Sequence, residues 1–142
     1  MPTTRYAGPL TLNDAKTKLN VSKPLADTSF HREGPRAFVE YRDLGLSEAS
    51  GGKIGAKHIR AIRPFERETG WHWHDLNGHF IYVLKGWIRF RFDGVDDEVT
   101  VKAGTCLSQP AGVAHNVVGQ SDDLELIEID LPDDYATIEV ER

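Results

Sequence analysis

The feature that most constrains the fold is a succession of short strand-like segments between residues 37 and 131. Runs of alternating or wholly apolar residues follow one another, separated by turns that contain glycine or proline. No helical pattern of comparable length competes with them, so we expect an all-β sandwich or barrel. The nine predicted strands lie near residues 37–41, 53–62, 70–74, 79–84, 87–92, 98–102, 105–109, 115–118 and 124–131.

Two of these segments show a period of two directly. In residues 87–92 every second side chain from Ile88 is apolar, and the others are a tryptophan and two arginines. In residues 127–131 isoleucine and leucine alternate with Glu128 and Asp130. This pattern predicts antiparallel strands with one face in water, so we expect both acids on the outside.

Glycine marks two predicted turns between neighbouring strands. Lys85-Gly86 and Asp93-Gly94 each stand between two apolar runs, and glycine supplies the positive φ that tight hairpin turns need. Residues 46–52 are rich in serine and glycine and are predicted to form a flexible link.

The length of 142 residues suits one domain. Residues 1–36 are polar and interrupted by prolines, which predicts an extended N-terminal arm with one helical turn near residues 13–19. Residues 37–142 are predicted to form the barrel domain. The arm is expected to lie against the barrel or against a partner subunit.

Charge and composition exclude several classes of function. The formal net charge is −5, and nine acids against one base lie between residues 121 and 142, so a nucleic-acid partner is not expected. No apolar stretch approaches the eighteen or so residues of a membrane helix, and no export signal is recognisable. The single cysteine, Cys106, cannot form an internal disulfide and is expected to be a small core residue. We therefore predict a cytoplasmic protein with neither a membrane nor a nucleic-acid partner.

Four histidines form the candidate site. His72 and His74 are two residues apart, so on a strand both imidazoles project from the same face. His79 follows a turn-forming tetrapeptide, which is expected to start the next strand beside the first, and His115 follows a turn shaped by proline and glycine. Imidazole suits iron, copper, nickel and zinc, so the sequence predicts that these four rings share one divalent transition metal.

The spacing of these residues resembles that of the cupin family. The matching positions are Gly70, His72, His74, residue 79, Gly86, Gly104, Pro110, Gly112 and His115. The resemblance is close over residues 70–119 and implies a single-domain jelly-roll barrel that holds one metal. Two positions depart from the pattern, because most cupins carry glutamate where this chain has His79 and asparagine where it has Gly119.

The histidine at position 79 makes the chain similar to manganese-binding cupins with four histidine ligands. Neutral ligands leave the charge of the ion uncompensated, so the resemblance implies a strong Lewis acid that favours anionic, chelating substrates such as enolates. Fe(II) or Mn(II) is favoured, with nickel, zinc and copper open. The alternative for His79 is a hydrogen-bonding residue behind the ligands.

The resemblance implies either an enzyme or a binding protein, because one fold serves both. Our leading hypothesis is a metal-dependent dioxygenase for a small enolisable or phenolic oxygen compound, in an apolar cavity lined by Ile81, Val83, Ile88 and Phe90. The alternatives are a sensor or carrier without catalysis, and a lyase or isomerase that uses the metal as a Lewis acid. No catalytic base is identified. Tyr82 is expected to face away from the cavity, whereas Gln109 is a candidate lining residue.

An outer face with a tryptophan and two arginines on residues 87–92, together with Trp71 and Trp73, suggests a subunit contact. Cupins similar to this chain often dimerise, so a homodimer is expected.

Overall fold

The computed structural model describes residues 18–23, 30–32, 36 and 38–141. Most of the predicted arm, including nearly all of the helical turn expected near residues 13–19, lies outside these residues. The described part of the arm lies against the barrel: the Lys18 amide donates to the Ala49 carbonyl at 2.8 Å, and His31 forms an isolated β-bridge with Tyr41. The boundary at residue 36 stays a prediction.

The described chain consists of ten strands and one short helix. In chain order they are β1 (Val39–Asp43), α1 (Leu46–Ser50), β2 (Gly55–Ala61), β3 (His72–Asp75), β4 (Gly78–Lys85), β5 (Trp87–Phe92), β6 (Val99–Lys102), β7 (Cys106–Gln109), β8 (His115–Gln120), β9 (Glu125–Leu131) and β10 (Ala136–Glu139). The strands form two antiparallel five-stranded sheets, ordered β1-β2-β9-β4-β7 and β10-β3-β8-β5-β6. The prediction of an all-β fold is confirmed.

The nine predicted strands are all present, eight of them with shifted ends and the strand at residues 87–92 as predicted, and the structure adds a tenth. β10 pairs along its whole length with β3, the strand that carries His72 and His74. Its four residues follow Pro132 and two aspartates, so the sequence pattern did not reveal it. The predicted link at residues 46–52 contains the helix α1. Gly51 follows the last helical residue and has a left-handed backbone conformation.

The turn at Lys85-Gly86 was predicted to be a hairpin, and this prediction is wrong. β4 and β5 belong to different sheets, so the turn carries the chain across the barrel. Gly86 has φ 73°, and a Cβ atom there would lie 2.1 Å from Ser121 Oγ, which explains the glycine. β3 and β4 are likewise in different sheets, so His79 does not start a strand beside His74. The Asp93-Gly94 turn does begin a hairpin, between β5 and β6.

The apolar core fills the space between the two sheets. Its buried residues are Val39, Tyr41, Ile59, Ile81, Val83, Ile88, Phe90, Phe92, Val101, Val117, Leu124 and Leu126. Cys106 is exposed, so its predicted place in the core is wrong. Gln109 lies three residues after Cys106, so its side chain projects from the opposite face of the strand. It is the buried residue of β7. Among the described residues, no helix is long and apolar enough to span a membrane.

A matched pair of leucine substitutions tests the position of the core. Leu124 is fully buried, whereas the Leu84 side chain on β4 is 45% exposed. We expect Leu124→Ala to lower the free energy of unfolding by about 3 kcal/mol, because it leaves a cavity among packed side chains. Leu84→Ala should change it by less than about 1 kcal/mol. Urea denaturation of both variants measures the difference, and equal losses would contradict this packing.

Candidate metal centre

Three histidines from one sheet converge on a common point. His72 and His74 project from β3, and His115, the first residue of β8, is the direct cross-strand partner of His72. The distances between ring centroids are 4.5 Å for His72 and His115, 5.0 Å for His72 and His74, and 5.1 Å for His74 and His115. One nitrogen of each ring lies within 4.8 Å of the others, which is a spacing that one metal ion can bridge.

The other nitrogen of each ring already has an oxygen partner. Nδ1 of His72 contacts the Gly70 carbonyl at 2.8 Å, and Nδ1 of His115 contacts the Val113 carbonyl at 3.2 Å. Nδ1 of His74 contacts the hydroxyl of Thr137 on β10 at 2.9 Å. Because a carbonyl can only accept, Nδ1 carries the hydrogen in His72 and His115, and their Nε2 lone pairs are free. Such contacts orient histidines that bind metals.

The protonation state of these rings also fits a metal. Burial, reinforced by the charges of the neighbouring histidines, lowers the pKa of His74 to about 3. Burial likewise lowers the pKa of His115 to about 4, although its hydrogen bond to Val113 opposes the shift. Both imidazoles are therefore neutral at ordinary pH, which is the form that coordinates a metal. The donor set thus fits a divalent transition metal.

His79 lies next to this group but comes from the opposite sheet. Its ring centroid is 5.0 Å from that of His74 and 6.2 Å from that of His115. Its Nε2 contacts Glu128 Oε1 at 2.8 Å and lies 3.5 Å from Asp130 Oδ1. His79, Glu128 and Asp130 form a second group of closely spaced ligand atoms. Ligation of the shared metal by His79 therefore stays a prediction.

Glu128 and Asp130 were expected on the wet face of β9, and this expectation is wrong. Asp130 is fully buried, and the side chain of Glu128 is 16% exposed and points to His79. Leu124 and Leu126 share the parity of the two acids and are the most buried residues of this segment. The shared parity of the leucines and the acids could have shown from the sequence that the acids face inward. The isoleucines at the alternate positions favoured the opposite assignment instead.

The two carboxylates influence each other strongly. Burial raises the pKa of Asp130, and the negative charge of Glu128 raises it further. Burial would also raise the pKa of Glu128, but the hydrogen bond and charge of His79 outweigh it and lower this pKa. Glu128 is therefore ionised at neutral pH, whereas Asp130, whose pKa is raised to about 7, is ionised in part.

The histidines open into a cavity of about 570 Å³. Ile81, Ile88 and Phe90 line it as predicted, while Val83 is buried in the core instead. Gln109 also lines the cavity, and Tyr82 is 45% exposed and faces away. The remaining polar lining includes residues that the sequence analysis did not select, namely Arg36, Lys57, Glu128, Tyr135 and Thr137. The lining of the cavity thus combines apolar and ionisable side chains.

Comparison with known proteins agrees with this fold. The family model described as "Cupin domain" matches residues 59–130, which is half of the chain, so the protein belongs to the cupin family. No curated protein matches the sequence.

Three solved structures illustrate the fold that this chain shares. The polyketide cyclase RemF from Streptomyces resistomycificus has a TM-score of 0.64 at 18% identity, with 84% of this chain and 86% of that chain covered. KdgF from Halomonas sp. has a TM-score of 0.58 at 16% identity, with 76% and 92% covered. A predicted oxalate decarboxylase from Thermotoga maritima has a TM-score of 0.55 at 25% identity, with 66% and 80% covered. The first two likenesses show the fold alone.

The contact between His74 and Thr137 gives a test of the centre that leaves the three histidines in place. Thr137→Val removes the oxygen partner of Nδ1 but keeps the size of the side chain. We expect metal affinity to fall about 10-fold, because the ring loses the contact that fixes its orientation. Thr100→Val, on the outer strand β6, should leave affinity unchanged. Competition with a chromophoric chelator measures both, and equal affinity in the Thr137 variant would contradict this role.

Proposed function

We propose that the protein is a metal-dependent enzyme, with Nε2 of His72, His74 and His115 holding one divalent ion and His79 available as a fourth ligand. The observation that carries the proposal is the set of three converging imidazoles. In each ring, Nδ1 has an oxygen atom as its hydrogen-bond partner. Mn(II) and Fe(II) are the favoured ions. A structure of Bacillus subtilis oxalate decarboxylase, titled for its Mn(II) centres, supports manganese at 22% identity and a TM-score of 0.55, with 72% of this chain and 27% of that chain covered.

The substrate that we propose is a small enolisable or phenolic oxygen compound that binds as an anion. Three neutral ligands leave the full charge of the ion to attract an anionic oxygen. Arg36 and Lys57 border the same cavity and add positive charge. Ile81, Ile88 and Phe90 form an apolar wall that would pack against the carbon skeleton and keep out water.

The reaction that we propose first is dioxygenation with cleavage of a C–C bond. When bound, a redox-active ion would supply Lewis acidity and a route for electrons to O2. The residues of the chain would orient the anion against the apolar wall and hold the ligand rings in place through Gly70, Val113 and Thr137.

A second candidate is a reaction without O2, such as that of an isomerase, a cyclase or a lyase. It is favoured by the hydrogen-bonded pair of His79 and Glu128, which lies in the wall of the cavity. A carboxylate that orients an imidazole is an arrangement that can accept a proton from an acidic C–H bond. The polyketide cyclase and the predicted oxalate decarboxylase with this fold are in keeping with such chemistry.

Elemental analysis of protein purified without added metal tests the site itself. We expect about one equivalent of metal at the histidine site. His72→Ala and His115→Ala should each lose it, since either removes one of three ligands. His58→Ala is the matched control, because that histidine contacts Glu125 instead. A full complement of metal in either ligand variant would contradict the site. Retention of this ion in His79→Ala would place His79 behind the ligands.

Comparison of turnover with and without O2 decides the reaction class. Protein loaded with Fe(II) or Mn(II) is assayed against a panel of diketones, phenols and keto acids, while O2 uptake is followed with an electrode. We expect one O2 consumed per substrate and a loss of about 100-fold or more in His72→Ala. Equal turnover without O2 would favour the second candidate. Ligand binding without turnover by any ion would favour the sensor or carrier.

The homodimer and the cytoplasmic location that we infer from the sequence are part of the same proposal. They are supported by the polar and aromatic outer face of β5 and by the single cysteine, respectively.

A further inference from the structure

Three buried oxygen atoms beside His79 have no hydrogen-bond donor among the described residues. They are Oδ1 and Oδ2 of Asp130 and Oε1 of Gln109. The side chains are 0% and 4% exposed, so surrounding solvent does not reach them freely. Leaving a buried polar atom without a partner costs about 1 to 3 kcal/mol, and native proteins rarely leave three in one place.

The sheet brings these atoms together through its register. Gln109 on β7 and Asp130 on β9 are the direct cross-strand partners of His79 on β4, one on each side. Nε2 of His79 lies 3.4 Å from Gln109 Nε2 and 3.5 Å from Asp130 Oδ1. Glu128, two residues before Asp130, points to the same face and contacts the same nitrogen at 2.8 Å. Four polar side chains from three neighbouring strands thus surround one small region.

Among the described residues, no lysine or arginine forms an ion pair with Glu128 or Asp130. Among the residues that the structure describes, the only ion-pair partner of either carboxylate is His79. Arg36, in the segment before β1, and Lys57, on β2, act on Glu128 through their positive charge, but neither is within ion-pair distance of it. Tyr135 and Asp133 add no positive charge. Two buried acids without a cation in direct contact are costly, and a divalent ion bound between them would neutralise both at once.

We propose that Asp130, Glu128, Gln109 and His79 form a second metal site, which binds a divalent cation such as Mn²⁺ beside the three-histidine centre. Its donors are two carboxylates, one amide oxygen and one imidazole, a set that hard, oxygen-preferring cations favour. It therefore differs in chemistry from the first site, whose described ligands are imidazoles only. This inference does not depend on the reaction proposed above.

The first test counts ions in the intact protein. After equilibrium dialysis against Mn²⁺, we expect about two ions per chain in the native protein and about one in Asp130→Asn and Glu128→Gln. Glu125→Gln, a neutralised acid on the outer face of the same strand β9, should retain two. The double variant His72→Ala/His115→Ala should lose the first site and keep one ion.

The second test separates loss of a ligand from loss of the fold. Asp130→Asn keeps the shape of the side chain and removes a buried charge, so its Tm in EDTA should equal or exceed that of the native protein. Added Mn²⁺ should then raise the Tm of the native protein more than that of Asp130→Asn. This difference should persist in the His72→Ala/His115→Ala background.

Three results would overturn the proposal. One is a single ion in the native protein that Asp130→Asn retains, which would mean that water satisfies the orphaned oxygens. Another is a single ion that Asp130→Asn loses, which would mean that the carboxylates act on the histidine centre through His79. The third is the absence of bound Mn²⁺ in the His72→Ala/His115→Ala variant when native-like Tm in EDTA shows that it is folded. The last result would leave the three-histidine site, and the function proposed from it, unaffected.

Discussion

The orientation of three imidazoles by backbone and hydroxyl oxygens is the constraint on which the rest of the structure depends. Each ring is held at Nδ1 by Gly70, Thr137 or Val113. Without these contacts the rings would be free to turn and bond to one another or to the nearby carboxylates. The contacts also explain why β10 matters, since this short strand at the sheet edge supplies Thr137. The geometry of the centre is thus set partly by a strand that carries none of the histidines.

Much of this arrangement was predictable because it depends on local parity. Two histidines at positions i and i+2 of a strand must share a face, and the alternation in Ile88 and Phe90 identified the inward side of β5. The family resemblance then supplied what no local pattern contains, namely that His115 reaches the same site as His72, although it did not predict their direct pairing across the sheet. The sequence alone could not show this pairing, because it joins residues more than forty positions apart.

The errors have a common physical origin. The acids of β9 were assigned to water because charged residues usually lie outside, yet parity with Leu124 and Leu126 places them inside. Burial of Glu128 is tolerated because His79, on the neighbouring strand, donates a hydrogen bond to it. The assumption that a glycine turn makes a hairpin failed for a related reason. A turn can join two sheets as well as two neighbouring strands, and only packing decides between them.

The position of His79 links these observations. Glutamate at this place in other cupins would bring a negative charge to the metal, whereas here the carboxylates belong to Glu128 and Asp130 on the neighbouring strand and contact His79. The imidazole therefore separates a centre of neutral ligands from a buried pair of acids. Glu128 borders the same cavity as the histidines, so its negative charge would act on any charged group that enters there. In this arrangement two largely buried acids lie in one sheet, while the three imidazoles of the other sheet form a group of ligand atoms without a carboxylate.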